Sequence, residues 1–261
     1  MSESARSVAF DRAADHYDRT RSLSPEAMGR VIELLRAELE GRGRCLEIGV
    51  GTGRIALPLA EAGISMAGVD LSQPMLAQLL GKSGGAPPFP IARADATLLP
   101  FGDAVFGTAL AIHVLHLIPS WAGAIDEMLR VVRRPGIILV DLGRARGIMR
   151  VVEDRFAAEG GIGKRFSGLG EEDVPDLDRY LLGKGAALRE LPEVVDRLML
   201  SIDGLIQLLV GGVYSWTWRF DEETRRSVGA KVRAWATDTY GDLEEPRSMD
   251  RLVTIRAYDL S

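Results

Sequence analysis

The chain has 261 residues, 46% of them hydrophobic, with a net charge of −5 and a single cysteine. That length suits one large α/β domain or a domain carrying a cap, and the acidic balance argues against a broad surface for nucleic acid or anionic membrane. The lone Cys45 excludes disulfides and cysteine metal clusters. The opening "MSESARSVAFDRAADHY" lacks the basic start and apolar core of a signal peptide, and no uncharged apolar run approaches the roughly 20 residues of a membrane span. A cytoplasmic protein acting on a small molecule, with no nucleic-acid or membrane partner, is expected. Oligomeric state leaves no signature.

In chain order, "SPEAMGRVIELLRAELEG" predicts a helix, with Ser24 as N-cap and Pro25 at its first position. "RCLEIGV" reads as a strand, and "TGRIALPLAEAG" as a helix closed by Gly63 and bent at Pro58. "SMAGVDLS" gives a second strand, "QPMLAQLLGK" a short helix and "FPIARAD" a third strand. "AVFGTALAIHVL" is the fourth strand, "WAGAIDEMLRVVRR" a helix ended by Pro135 and Gly136, and "IILVDLG" the fifth strand. This alternation implies a doubly wound α/β fold, a mostly parallel sheet with right-handed crossovers.

From about residue 146 the rhythm breaks. "GIMRVVEDRFAAEGG" reads as helical and "IGKRFSGLGEEDVPD" as a glycine-rich charged loop, while "LDRYLLGKGAALREL" fits helix or strand. "EVVDRLML" predicts a sixth strand, "SIDGLIQLLVGG" a short helix, "FDEETRRSVGAKVRAWATDTYG" a long amphipathic helix and "RLVTIRAYDL" a closing strand. The expected organisation is a core with an N-terminal cover over residues 1–145, a helical lid over 146–190, and the rest of the core over 191–261.

"CLEIGVGTGR" places Gly49, Gly51 and Gly53 at alternate positions where the first strand gives way to a helix. In an open parallel sheet that turn is where ligands bind, and glycine admits positive φ and close backbone approach. The NAD-binding version runs G-x-G-x-x-G, whereas Arg54 stands here in place of the third glycine. Acids cluster beside the turn: Glu47 before it, Asp70 ending the second strand, placed to accept ribose hydroxyls, and Asp95 after the third, placed to receive an exocyclic amine.

Four blocks, "LEIGVGTGRIALPLAEAG", "GVDLSQPML", "ARADATLLPFGDAVFGTALAIHVLHLI" and "LRVVRRPGIILV", resemble the class I S-adenosylmethionine-dependent methyltransferases of the small-molecule, UbiE-like type, over residues 45 to 141. The resemblance implies a Rossmann-like seven-stranded sheet with helices on both faces, an antiparallel closing strand, and S-adenosylmethionine as cofactor with S-adenosylhomocysteine as product. It implies that Glu47, Gly49, Val50, Gly51, Thr52 and Gly53 shape the methionine-end pocket and that Asp70 binds the ribose. Leu71 and Met75 would flank the adenine, with Asp95 and the Ala96 backbone reading its edge. "FDRAADHYDRTR" is similar to a segment that folds over the cofactor, which adds Tyr17 and Arg21. Ile137 departs from the family, which more often has a second glycine there.

His113 and His116, at the end of the fourth strand, are candidate general bases for an acceptor with a hydroxyl or an acidic carbon. The plainer reading is that His113 lines the cofactor site and His116 packs or caps the next turn. With His16 the only other histidine and no third ligand evident, no metal is expected. Tyr214, Trp216 and Trp218 alternate and would share one face of an extended segment, lining an acceptor pocket or packing the lid. Met149 and Phe156 in the lid helix carry the same two readings. The function expected is methyl transfer to a small-molecule acceptor. Alternatives are an NAD-dependent oxidoreductase and a non-catalytic nucleoside-binding protein.

Overall fold

The computed structural model describes residues 7, 9–11 and 17–261, with side chains described except at Arg19, Arg21 and Arg144. His16 and the 12–16 part of the expected cover lie outside the described residues. In chain order, α1 (Tyr17–Arg21) and α2 (Pro25–Leu39) precede β1 (Cys45–Ile48), α3 (Ala56–Glu61), β2 (Met66–Asp70), α4 (Gln73–Lys82) and β3 (Ile91–Arg93). Next come β4 (Phe106–Ile112), α5 (Trp121–Val131), β5 (Val132–Asp141), β6 (Arg144–Arg146), α6 (Ile148–Glu159) and α7 (Val174–Gly183). The chain finishes with β7 (Ala186–Glu190), β8 (Val194–Leu200), α8 (Ile202–Val210), α9 (Glu222–Tyr240), β9 (Arg247–Val253) and β10 (Arg256–Leu260).

Two compact units result, the first running to Gly143 and taking in Ser167–Val194 and Val253–Ser261, the second comprising Arg144–Phe166 and Val195–Leu252. The first is an α/β unit around a seven-stranded sheet ordered β3-β2-β1-β4-β5-β10-β7. β1 to β5 run parallel, and β10 is antiparallel to both β5 and β7. Strand side chains alternate between the two faces, and the core divides accordingly. Leu46, Ile48, Ala109, Ala111, Ile138 and Val140 pack with residues of α5 and α7; Cys45, Leu110, Ile112, Ile137 and Leu139 pack with residues of α2, α3 and α4. β1 and β4 are buried along their whole length, as strands covered on both faces must be. Between them the strand order reverses, and ligands in open sheets bind beyond the carboxyl ends at that point.

Most N-terminal elements form where their local signals lie. Ser24 caps α2 by accepting from Ala27 N, and Ser72 caps α4 by accepting from Met75 N. α3 is shorter than expected and begins at Ala56, so Pro58 sits in its first turn, where a missing N–H removes no helix bond. α5 stops at Val131, and Pro135 and Gly136 belong to β5 instead of ending the helix.

The second unit contains a three-stranded sheet, β6-β9-β8, and a core in which Met149, Val152 and Phe156 of α6 pack with Ile206 and Leu209 of α8 and Val232 of α9. An all-helical lid is therefore replaced by a unit with its own sheet. "EVVDRLML" is a strand but joins this smaller sheet, and the remaining place in the large sheet is taken by β7, inside the stretch left between helix and strand. "RLVTIRAYDL" breaks at Thr254 into β9 and β10, one in each sheet. The expected 146–190 and 191–261 segments thus each contribute to both units.

Candidate functional site

The turn after β1 is built from left-handed backbone: φ is +68° at Gly49, +55° at Gly51 and +78° at Gly53. A Cβ on Gly49 would stand 2.3 Å from Val114 Cγ2, and one on Gly53 2.8 Å from Leu57, so conformation and packing both demand glycine there. The turn closes through Gly53 N donating to Val50 O and is tied to β2 by Val50 N donating to Val69 O, both at 2.9 Å. Val50 and Thr52 are buried. Gly68, which drew no notice in the sequence, gives Val50 its room: a Cβ there would lie 2.8 Å from Val50 Cγ2.

Asp70 braces the turn from the end of β2. Its Oδ2 accepts from Gly51 N at 2.8 Å and its Oδ1 from Ser72 N at 2.7 Å. Burial raises its pKa, against the pull of those N–H groups. Each carboxylate oxygen has a second lone pair and can still accept a hydroxyl. Leu71 follows, and buried Met75 reaches across so that its terminal methyl lies 3.2 Å from where a Gly51 Cβ would be.

Glu47 is buried at the end of β1 with Oε2 in no hydrogen bond among the described residues. Burial pushes its pKa up to about 8; the Arg54 charge and the Ala56 N–H oppose the rise, and Asp70 adds to it. Beyond β3, Asp95 Oδ1 accepts from Thr97 N and Thr97 Oγ1, both at 2.9 Å, and Ala96 is buried.

β4 leads directly into His113, whose φ of +52° is a sparsely occupied conformation for a residue with a side chain. Its Nε2 lies 3.0 Å from Oδ2 of Asp141, a fully buried acid that the sequence reading missed. His116 lies in the short turn Leu115–Leu117, where its carbonyl accepts from Gly168 N at 3.0 Å.

The described part of the N-terminal segment reaches this end of the sheet through acids the sequence did not single out. Asp18 Oδ1 accepts from Thr52 Oγ1 at 2.7 Å and Asp18 pairs with Lys82, which donates to Thr52 O at 3.0 Å. Asp11 Oδ1 accepts from Ser72 Oγ at 2.6 Å. Tyr17 packs edge-on against Phe10 with ring centroids 5.6 Å apart. Arg21 ends α1, and its side chain is outside the described residues.

The first unit therefore gathers Glu47, the glycine turn, Asp70, Leu71, Met75, Asp95, Ala96, His113 and His116 beyond the carboxyl ends of β1 to β4. An orphaned buried carboxylate oxygen beside a cradle that admits only backbone fits a ligand bringing positive charge and hydrogen-bond donors. Residues 46–140 match the methyltransferase domain family model. This stretch is a class I S-adenosylmethionine-dependent methyltransferase domain, with S-adenosylmethionine as its cofactor. The chain is 35% identical over 120 residues to a phosphatidylethanolamine N-methyltransferase of Cereibacter sphaeroides, covering 44% of this chain and 59% of the relative. It is 34% identical over 131 residues to a malonyl-[acyl-carrier protein] O-methyltransferase of Geobacter sulfurreducens, covering 49% of each. The chain thus spans about half of the length of the curated relatives it matches. The YcgJ protein of Bacillus subtilis shares the fold with a TM-score of 0.60 at 18% identity, covering 90% of this chain and 99% of that one.

The residues expected to select the acceptor lie in the second unit. Met149, Phe156 and Trp216 are buried in its core, with the Phe156 and Trp216 rings edge-on at 5.9 Å. The Tyr214–Trp218 stretch is not extended: Ser215–Arg219 forms a 3-10 turn, with Thr217 N donating to Tyr214 O. Alternate residues in such a turn do not share a face. Tyr214 and Trp218 are half-buried, and Trp218 Nε1 donates to Gly212 O at 2.7 Å.

Proposed function

We propose that the protein transfers a methyl group from S-adenosylmethionine to a small-molecule acceptor. The observation that carries this reading is the glycine turn braced by Asp70 beside Glu47, whose Oε2 has no hydrogen-bond partner among the described residues, inside the stretch that matches the methyltransferase model. Glu47 and the turn backbone would hold the charged methionine end. Asp70 would accept from the ribose, Leu71 and Met75 would flank the adenine, and Asp95 with the Ala96 backbone would meet its edge. When bound, the cofactor's sulfonium would supply an electrophilic methyl carbon to the acceptor lone pair, its sulfur keeping the carbon–sulfur electron pair.

The protein's main task is then to hold acceptor and donor in line, an effect worth up to about 7–11 kcal/mol in well-oriented systems. His113 adds a proton acceptor at the end of β4. Support for a small acceptor comes from the acidic net charge, which disfavours a polyanionic one. Among the described residues no helix is long and apolar enough to cross a membrane. Calorimetric titration with S-adenosylhomocysteine and, in parallel, NADH tests the reading. Saturable binding of the former alone, weakened at least about tenfold in Asp70→Ala, is expected. Binding of NADH alone would transfer the site to oxidoreductase chemistry.

A further inference from the structure

Asp141 is fully buried, yet a carboxylate kept from water needs hydrogen bonds or a compensating charge. Its Oδ1 accepts from Thr254 N at 3.0 Å, at the break between β9 and β10. Its Oδ2 has no aligned hydrogen bond from any described residue and faces the His113 imidazole, with Nε2 at 3.0 Å. The ring is held there by backbone. His113 N donates to Asp141 O at 2.9 Å, extending the β4 to β5 pairing past the strand end. Gly143, itself at φ +69°, lies so close under the ring that a Cβ would come 2.2 Å from His113 Cε1. Strained backbone at φ +52° persists only where the surroundings enforce it, and it concentrates at functional sites. The residue after His113, Val114, is the one packed against Gly49, which puts the dyad beside the cofactor turn. The imidazole is still 30% exposed, and Nδ1 makes no hydrogen bond among the described residues.

We propose that Asp141 is a positioning residue that fixes the proton of His113 on Nε2, leaving the Nδ1 lone pair as general base for an acceptor bearing an ionisable O–H or C–H. The inference rests on the methyltransferase reading above. The acceptor proton passes to Nδ1 as the acceptor oxygen or carbon bonds to the methyl group, and the imidazolium so formed is stabilised by the Asp141 carboxylate before releasing the proton to solvent. Hydrogen bonds of this kind are often poorly aligned before substrate arrives and tighten in the complex. An acceptor that arrives as a neutral amine or a thiolate already offers a free lone pair and has less need of such a base.

The test is the tautomer. The chain has three histidines, so long-range nitrogen–proton NMR of histidine-labelled full-length protein resolves them, with His113→Gln supplying the assignment. Wild type is expected to carry its proton on Nε2. Asp141→Asn keeps the oxygen that accepts from Thr254 N but presents an NH2 group to the ring, so it should flip the proton to Nδ1, which an Asp141 serving only to pack would not require. Wild type protonated on Nδ1, or an Asp141→Asn protein that keeps Nε2–H, overturns the proposal.

A second readout is release of S-adenosylhomocysteine with catechol, a 1,3-diketone, a primary amine and a thiol as probes. Turnover of catechol or the diketone should fall about 10²–10⁴-fold in kcat in Asp141→Asn with KM for S-adenosylmethionine unchanged. Turnover of the amine or thiol alone, undiminished in His113→Gln, overturns the assignment of acceptor class. Failure of wild type to bind S-adenosylhomocysteine would instead sink the methyltransferase reading itself.

Discussion

In the second unit Glu153, Asp196 and Asp203 are all buried, and each lies against an arginine: Arg165 at 2.8 Å, Arg251 and Arg233. In the first unit Glu47 and Asp141 are buried too, yet among the described residues Glu47 Oε2 has no hydrogen-bond partner and Asp141, whose Oδ1 accepts from Thr254 N, turns Oδ2 to an imidazole. Desolvating a carboxylate is costly wherever it happens. Where the chain supplies its own cation the acid belongs to the fold. Where an arginine does not pair with the acid, as at Glu47 and Asp141, one oxygen is left to be met by a proton, a neighbouring imidazole or a ligand, and both acids lie at strand ends.

The largest effect expected from breaking this comparison is in the second unit. Arg251→Met removes a charged partner of the buried Asp196 carboxylate and should lower stability by up to about 3–5 kcal/mol, read as a shift of the urea unfolding midpoint at neutral pH. Retention of wild-type stability would mean that the pair is not what keeps Asp196 buried.

Glu47 sharpens the contrast through pH. Its folded pKa, pushed up by burial to about 8 from an ordinary 4.5, means the native state holds a proton that the unfolded chain has released across that window. Stability should therefore fall as pH rises from about 4.5 to about 8 and level off above it. Glu47→Gln, isosteric and uncharged, should remove this slope and gain on wild type between pH 5 and pH 8 by on the order of a few kcal/mol. Equal melting-temperature differences at the two pH values would show that Glu47 is ionised at both. The smallest effect belongs to an exposed pair: Glu40→Ala, which removes the partner of Arg36 on α2, should change stability by less than about 0.5 kcal/mol.

The core was legible because its elements carry local signals: a serine and proline at the start of α2, apolar runs through β1, β4 and β5, and glycines whose positive φ no other residue adopts cheaply. Asp70 was found as an acid closing the apolar run "MAGVD". The same signal in "IILVD" marks Asp141, but its importance depends on register across β4, which no local pattern encodes. β8 was recognised as a strand and placed in the wrong sheet, since alternation gives the faces of a strand and not its neighbours. The aromatic stretch 214–218 failed differently, because alternate spacing implies a shared face only in extended backbone. Asp18, one acid in a short helix, has nothing in the sequence to set it apart, and only its contacts with Thr52 and Lys82 give it a role.

The most direct measurement is hydrogen exchange of the full chain with and without S-adenosylhomocysteine. Protection concentrated in peptides covering 49–53 and 70–75, with none in the 62–65 connection at the opposite end of the strands, is the result the account predicts. Protection absent from the glycine turn, or equal at both ends of the sheet, would contradict it.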